Sequence, residues 1–311
     1  MDPYTTWSLE PLQLAAASIA GVLYGVRVRA LAAQRRGIST ARVASFYGGV
    51  AVIVAALASP LDAVGETRLF AAHMLQHMLV GYVGPLLAML GLTRAVLAPV
   101  LGIGGMWRLR FLGHPAVALP VWAASFYLWH LPPLYETALR DDVVHAAEHA
   151  VFITTGLLAW APVLEPVPAP RWFGTAGKLV YLCAWRIADM PLAVAFMFGP
   201  AIYRTYERAP RSLGLSAPAD ASLGGVMEFG IGLSVFFVVF VALFLRAAAD
   251  DERFHELVAL GVPEARARHA VRYGSARALL ERVRSIGAWP PVRAGTSSGP
   301  GERPPMHVTG P

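Results

Sequence analysis

Cysteine is almost absent from this 311-residue sequence. The single Cys183 excludes an intramolecular disulfide and any CxxC metal clip. Charge is also scarce, since Asp, Glu, Lys and Arg make up 15% of the residues, whereas soluble domains contain about a quarter. With 56% hydrophobic residues and a mean hydropathy of +0.51, the composition predicts an integral membrane protein rather than a soluble one.

Signals for other classes of protein are missing as well. The sequence has no Walker loop and no GxGxxG phosphate cradle. Its N-terminus carries no basic stretch ahead of the apolar run, so we expect no cleaved signal peptide. The net charge of +6 comes from the short connections and the C-terminal tail. It therefore reports orientation in a lipid bilayer rather than nucleic-acid binding.

Apolar segments of bilayer-spanning length predict an all-α, polytopic helix bundle with about seven transmembrane helices. Basic residues crowd the first, third and fifth connections, and five of the six connections agree on the orientation. The positive-inside rule then places the N-terminus outside and the C-terminus in the cytoplasm. The predicted spans are Leu12–Ala32, Val43–Val64, Leu69–Gly91, Pro115–Tyr135, Val143–Leu164, Leu179–Gly199 and Gly224–Arg246.

Three regions follow from the change of composition along the chain. Residues 1–249 form the predicted transmembrane bundle, 250–286 a cytoplasmic basic helical tail, and 287–311 a disordered tail rich in Pro, Gly and Ser. The basic helix either lies on the cytoplasmic leaflet through Leu279, Val283 and Ile286 or is an ordinary solvated helix.

Two pairs of histidines are the most informative feature of the predicted spans. His73 and His77 open the third span, and His145 and His149 open the fifth. Residues i and i+4 share one face of an α-helix, so each pair presents two imidazoles to a single point. His130 closes the fourth span, and the predicted topology places all five rings in the outer leaflet. Because ionisable side chains at membrane depth are costly, they indicate a functional site.

Neutral imidazole binds copper, zinc, iron and nickel, so these five histidines are the predicted metal ligands. Ligand chemistry alone leaves the metal open, because five histidines suit zinc as well as copper. Several further side chains could support the ligands by hydrogen bonding or bind the ion themselves. These auxiliary candidates are Asp62, Gln76, Glu148, Met74, Met78, Asp189 and Met190.

Sulfur-containing residues bear on the choice of metal. Met74 and Met78 flank the first histidine pair, and Cys183, Met190 and Met197 recur every seven residues in the sixth span. Thioether and thiolate ligands favour Cu(I). The alternative is that these methionines only fill helix interfaces.

Three kinds of enzyme also use such histidines. His145-Ala-Ala-Glu148-His149 fits the HxxEH pattern of some zinc proteases. A membrane cytochrome needs one axial histidine on each face of a haem, which two histidines a turn apart on one helix do not supply well. A di-iron desaturase or hydroxylase needs more histidines than are present here.

Four stretches resemble the CtaG family of cytochrome c oxidase assembly factors, Bacillus-type polytopic membrane proteins distinct from the single-span copper chaperone of the same name. They are HMLQHMLVGYVGPLLAMLG (His73–Gly91), WHLPPLYETAL (Trp129–Leu139), HAAEHAVFITTGLLAWAPVL (His145–Leu164) and AIYRTYERAPRSLGLSAPAD (Ala201–Asp220). The chain departs from the family at Asp220-Ala221 and at Met227-Glu228-Phe229, so Glu228 is a feature of this protein.

The resemblance implies a copper-related role in maturing a haem-copper oxidase, without enzymatic turnover, in the bacterial inner membrane. It carries His73, His77, His130, His145, Glu148 and His149 over as motif positions. Implied partners are cytochrome c oxidase subunits and an extracytoplasmic or periplasmic copper chaperone; the implied cofactor is copper as Cu(I). The alternatives are a metal-dependent membrane oxidoreductase or hydrolase, and a copper transporter.

Overall fold

The computed structural model describes residues 2–8, 11–102, 111, 113–166, 170, 172–210, 213–272 and 274–287. It is 82% helical and contains no strand within those ranges, which confirms the predicted all-α fold. The chain divides into two compact units, Met1–Leu245 and Arg246–Pro311. In chain order the helices are α1 Pro11–Ala33, α2 Thr40–Ala58, α3 Pro60–Thr67, α4 Phe70–Met78, a π-helical turn Leu79–Val83, α5 Gly84–Gly91, α6 Arg94–Gly102, α7 Pro115–Trp129, α8 Pro132–Ala138, α9 Asp142–Leu164, α10 Thr175–Phe198, α11 Arg204–Arg208, α12 Ala217–Ala259, α13 Glu264–Arg272 and α14 Ala276–Ile286.

Six helices in these ranges are long and apolar enough to cross a membrane. The predicted fourth span is shorter than expected, since α7 has 15 residues and ends at Trp129. The chain re-enters a helix at Pro132 because proline fits the first turn of a helix but not its interior. The predicted second span likewise breaks at Ser59, before Pro60, which leaves Asp62 on the separate helix α3. The orientation of the termini stays a prediction.

The third predicted span contains an irregular turn that follows from its sequence. Pro85 lies in the first turn of α5 and has no N–H to donate to the preceding turn. The backbone absorbs this defect as the π-helical turn Leu79–Val83, a feature that is frequent at functional sites. The turn lies directly after His77, so the histidine pair occupies the last regular turns before the irregularity.

Small residues let the helices on either side of this segment approach closely. A Cβ atom at Gly49 of α2 would lie 2.4 Å from the backbone nitrogen of Ala88. A Cβ atom at Gly156 of α9 would lie 2.1 Å from the carbonyl oxygen of Gly81 in the π-helical turn. Backbone contacts of this kind are how helices associate tightly in membranes. The α4–α5 segment is thereby held between α2 and α9.

The main apolar core surrounds the same segment and is rich in tryptophan. Trp160 and Trp185 are almost fully buried, and their ring centroids lie 4.7 Å apart. The indole N–H of Trp160 donates a hydrogen bond to the Tyr82 carbonyl at 3.0 Å. The Tyr181 hydroxyl donates to the Ala159 carbonyl at 2.9 Å. Because these large side chains are closely packed and two of them are hydrogen-bonded to the backbone, α9 and α10 form a rigid wall beside the histidines.

The second unit has a small core of its own. Leu257, Leu280 and Val283 are buried there, with Leu279 partly buried beside them. The apolar face of the predicted basic helix therefore packs inside this unit instead of facing a leaflet through Val283. The side chain of Ile286 and the predicted disordered tail beyond Gly287 lie outside the described residues.

Candidate metal centre

Helix α9 begins so that its histidines fall in the first two turns. The Asp141 side chain accepts hydrogen bonds from the backbone N–H groups of Val143 and Val144 at 2.9 and 3.1 Å. This N-cap satisfies two of the donors that a helix start leaves free. His145 and His149 follow on one face and are 5% and 3% exposed.

Helix α4, which carries His73 and His77, has a more unusual start. Its N-cap residue, Leu69, has no side chain that could accept a hydrogen bond. Asp220 from the first turns of α12 serves instead, with its carboxylate accepting from the N–H groups of Phe70 and Ala71 at 2.7 and 3.0 Å. A carboxylate at this end of a helix also interacts favourably with the helix dipole. No local pattern in the sequence predicts this cap.

The imidazoles of α4, α7 and α9 converge on one another. The Nε2 atoms of His73 and His77 lie 2.7 Å apart. Ring centroids are 5.5 Å apart for His73 and His145, 6.0 Å for His77 and His149, and 5.7 Å for His77 and His130. The five histidines that the sequence singled out therefore form one buried cluster across three helices, which we call the histidine cluster.

Glu148 belongs to the middle of this cluster rather than to its surroundings. Its side chain is fully buried, and its two oxygens lie 3.9 Å from His73 Nε2 and 3.7 Å from His77 Nε2. Neither oxygen has a hydrogen-bond partner among the described residues. Glu148 follows His145 by about one helical turn, and the sequence analysis predicted an auxiliary role for it beside the ligands. Its carboxylate is instead aimed at the imidazoles of the other helix.

Asp62 and Gln76 form a second polar contact at the edge of the cluster. One possible metal-ligand atom from each of Asp62, His145 and His149 lies within 4.8 Å of the other two. The Gln76 amide nitrogen donates to an Asp62 oxygen at 2.5 Å and to the Ala56 carbonyl at 3.1 Å. Gln76 thus orients the Asp62 carboxylate, whereas the sequence suggested that it would orient a histidine.

Glu66 is the functional side chain that sequence reasoning missed. Its carboxylate lies 2.6 Å from Nδ1 of His145. A carboxylate on one ring nitrogen holds the proton there and leaves the other nitrogen free for a metal. Nε2 of His145 is buried and has no partner in the described part of the chain. The available signal was spacing, since Glu66 follows Asp62 by one turn of α3.

His130 is oriented in the same way by backbone groups. It ends α7, and its Nδ1 donates to the Phe126 carbonyl at 2.7 Å. The Tyr203 hydroxyl donates to the His130 carbonyl at 2.8 Å. Nε2 of His130 consequently faces the cluster without a partner among the described side chains. His130 and His145 therefore both keep one ring nitrogen for a ligand bond.

An aromatic cover closes the cluster on the side of α8 and α11. Tyr135 stacks on Tyr203 with ring centroids 3.8 Å apart and lies 5.0 Å from the His73 ring. The Tyr206 hydroxyl donates to the Gly65 carbonyl at 2.7 Å, which ties the cover to α3. Burial raises the pKa values of Tyr203 and Tyr206 well above the ordinary phenol value, so both stay neutral.

Glu136 fastens this cover to the loop that carries it. Its carboxylate accepts from the Thr205 N–H at 3.0 Å, from the Thr205 hydroxyl at 2.8 Å, and from Arg140 at 2.5 Å. Burial alone raises the pKa of Glu136, but these contacts to the ionised form outweigh it and hold the pKa below the usual value.

The residues present fit a metal ion. Buried polar atoms normally have hydrogen-bond partners, and each one left without a partner costs roughly 1–3 kcal/mol. A bound ion supplies a partner to several such atoms at once. Donors of one group, His73, His145 and Glu148, lie within 4.8 Å of one another, close to the span that one ion can bridge with bonds of about 2 Å. The buried cluster atoms without a partner among the described residues include His77 Nδ1, His130 Nε2, His145 Nε2, His149 Nε2 and both oxygens of Glu148.

Comparison with known families agrees with this arrangement. Residues 22–250 match the family described as cytochrome c oxidase caa3 assembly factor (Caa3_CtaG). The chain belongs to this family. The matched range includes the histidine cluster and the helices that carry it.

Two mycobacterial relatives of this Caa3_CtaG protein are similar over most of its length. The uncharacterized protein Mb0105 of Mycobacterium bovis is 28% identical over 269 residues, which is 80% of this chain. The uncharacterized protein ML1998 of Mycobacterium leprae is 24% identical over 271 residues, again 80% of this chain. The aligned part is 40% of the length of each relative. No solved structure matches.

The remaining auxiliary candidates lie elsewhere in this Caa3_CtaG protein. Met74 is buried in an aromatic cluster with Phe70 and Tyr135, and Met78 belongs to the main apolar core. Met190 is 40% exposed on α10, and Asp189 pairs with Arg186 of the same helix. These positions favour packing roles for Met74 and Met78.

Proposed function

We propose that this protein binds copper, as Cu(I), in the histidine cluster and helps to insert it into a haem-copper cytochrome c oxidase. The observation that carries the proposal is the packing of five histidines from three helices into one buried cluster, namely His73, His77, His130, His145 and His149. Family membership supports the role in oxidase assembly. The protein acts without turnover, as a holder of the ion during assembly.

The surroundings of the cluster support storage followed by transfer. The aromatic cover and the buried histidines keep water from the ion, while Glu66, 30% exposed at its side chain, lies between His145 and the surface. A cavity of about 390 Å³ opens beside the cover and is lined by residues that include Arg68, Tyr206 and Asp220. With the predicted orientation, an extracytoplasmic copper chaperone and the oxidase subunits would meet this end of a bundle in the bacterial inner membrane.

Metal analysis of the purified, full-length protein tests the proposal. Copper, zinc, iron and haem are measured together in the wild type, in His77→Ala and in His255→Ala. His255 is an exposed histidine of the second unit and serves as the matched control. We expect bound copper in the wild type and in the control. His77→Ala should contain less copper while its melting temperature stays close to that of the wild type.

Oxidase assembly in cells that carry the same variants is the second measurement. His77→Ala should lower the amount of assembled oxidase, and His255→Ala should not. If the two variants retain the same metal content and support the same assembly, the site is misassigned. If zinc is bound instead of copper, the assignment of the site residues is supported and the assignment of copper as the metal is wrong.

Glu148 favours one alternative function, a metal-dependent hydrolase or oxidoreductase. An unpartnered carboxylate beside metal ligands is suited to act as a general base. The two functions differ in what Glu148→Gln does. A metalloenzyme would keep its metal and lose turnover, whereas a copper holder would lose affinity because the negative charge of the carboxylate beside the bound cation has been removed.

A further inference from the structure

A second group of ionisable side chains lies inside the bundle, on α10 and α12. Arg186 and Asp189 form a buried ion pair on α10, with side chains 10% and 6% exposed. Glu228 on α12 is fully buried, and neither of its oxygens has a hydrogen-bond partner among the described residues. None of the three belongs to the histidine cluster.

Contacts between the two helices bring these groups to one place. A Cβ atom at Gly232 would lie 2.6 Å from Arg186 Nη1 and 3.2 Å from Asp189 Oδ2, so α12 passes directly over the ion pair. Glu228 lies one turn before Gly232 on the same face of α12. The Arg186 guanidinium also stands 4.8 Å from the Phe229 ring centroid, and its Nη2 has no partner in the described residues.

The charges of this group do not balance on their own. One guanidinium and two ionised carboxylates would leave one uncompensated negative charge in a nearly dry, apolar region. Such a charge is expensive to bury, and membrane proteins avoid it. One proton bound to one carboxylate makes the group neutral. The Asp189 carboxylate already accepts from Arg186, whereas Glu228 has no such contact.

We propose that Arg186, Asp189 and Glu228 form a proton-binding site in which Glu228 carries one exchangeable proton. Binding converts the carboxylate and a free proton into the neutral carboxylic acid, and nothing else is oxidised or reduced. Among the described residues, the other titratable groups that face the site are tyrosines from three neighbouring segments, and they bring no further positive charge. They are Tyr82 in the π-helical turn, Tyr127 on α7 and Tyr203 in the loop after α10.

Infrared spectroscopy of the full-length protein in lipid nanodiscs tests this site directly. A protonated carboxyl has a C=O stretch that ionised carboxylates lack, and exchange into D₂O shifts that band. We compare the wild type, Glu228→Gln and Glu148→Gln at neutral pH. Glu148→Gln is included because Glu148 is also fully buried. We expect a D₂O-sensitive carboxyl band that persists in Glu148→Gln and disappears in Glu228→Gln.

A second measurement keeps the test decisive if Glu228→Gln folds poorly. Glutamate labelled with ¹³C at its side-chain carboxyl is incorporated into Glu148→Gln, and the label shifts any band that comes from glutamate. A shifted band supports the proposal. Absence of a protonated glutamate band contradicts it, since Glu228 would then be ionised and neutralised by another cation such as Na⁺. A band that vanishes only in Asp189→Asn contradicts it as well.

Discussion

Two groups of buried polar side chains in the described bundle differ in how their charges and hydrogen-bonding atoms are compensated. The histidine cluster contains five imidazoles, which are neutral in their common form and can be buried at modest cost. The α10–α12 group contains one guanidinium that is always charged, together with Asp189 and Glu228. The first group contains no fixed cation, whereas the second contains an arginine that compensates one of its two carboxylates. The comparison indicates that the histidine cluster is suited to a metal ion, whereas the α10–α12 group lacks only the single positive charge that a proton supplies.

Removing the guanidinium gives the largest expected effect on the second group. Arg186→Met leaves Asp189 buried without its partner, which costs about 3–5 kcal/mol when one member of a buried pair is deleted. The unfolding free energy in detergent should fall by this order, while metal content of the folded fraction stays at the wild-type level. The comparison predicts this separation because the cluster does not use Arg186.

The matched control is Arg246→Met. Arg246 is 71% exposed at its side chain and lies 3.9 Å from Asp250, so this exposed pair contributes less than about 1 kcal/mol. Equal losses in the two variants would show that the ion pair on α10 is not buried in the folded protein.

A change at Gly156 is expected to break the histidine cluster and spare the other group. In Gly156→Ala the new Cβ atom would meet the Gly81 carbonyl at 2.1 Å, and a backbone atom cannot rotate away. The helices α4 and α9 must separate, at a cost of about 1–3 kcal/mol for overpacking. Thermal melting and metal titration should both report the change, with metal affinity lowered because the ligands sit on both helices.

Gly230→Ala is the control for that experiment. Gly230 lies in α12, and nothing lies within 4 Å of a Cβ atom added there. Alanine is the better helix former, so the control should melt at or slightly above the wild-type temperature. Wild-type metal affinity in Gly156→Ala would mean that the cluster does not depend on the close approach of α4 and α9.

The difference between local and distant signals explains how much the sequence could predict. The i, i+4 spacing of His73 and His77 lies within one helix, so periodicity alone found that pair and its partner on α9. Asp220 caps α4 across 150 positions, which no local pattern could reveal. Glu66 reaches His145 across 79 positions, so its spacing from Asp62 could mark it as a candidate but could not identify its partner. The fourth span was predicted too long because its apolar composition continues past His130, whereas helix α7 ends at Trp129.

Glu66→Gln tests whether the carboxylate that contacts His145 contributes to the metal affinity of the cluster. The amide keeps the shape of Glu66 and can still accept a hydrogen bond, but it loses the charge that favours the ligand tautomer of His145. Changes to such supports lower metal affinity by roughly 10- to 100-fold. Competition titration should show weaker binding with unchanged stoichiometry. The control is Glu207→Gln, an exposed carboxylate of α11, and the same shift in both variants would remove any special role of Glu66.

The smallest expected effect concerns Glu136, a carboxylate that has hydrogen-bond partners, unlike Glu148 and Glu228. Its pKa is held below the ordinary value by Thr205 and Arg140, so folding favours the ionised form. The stabilisation is therefore complete above the unfolded pKa of about 4.3 and disappears as the pH falls through the lower folded value. The unfolding free energies of the wild type and Glu136→Gln should differ by less than about 1–2 kcal/mol at neutral pH and converge in acid. A difference that stays constant with pH would mean that the Glu136 charge contributes nothing, and that shape alone holds the aromatic cover over the histidines.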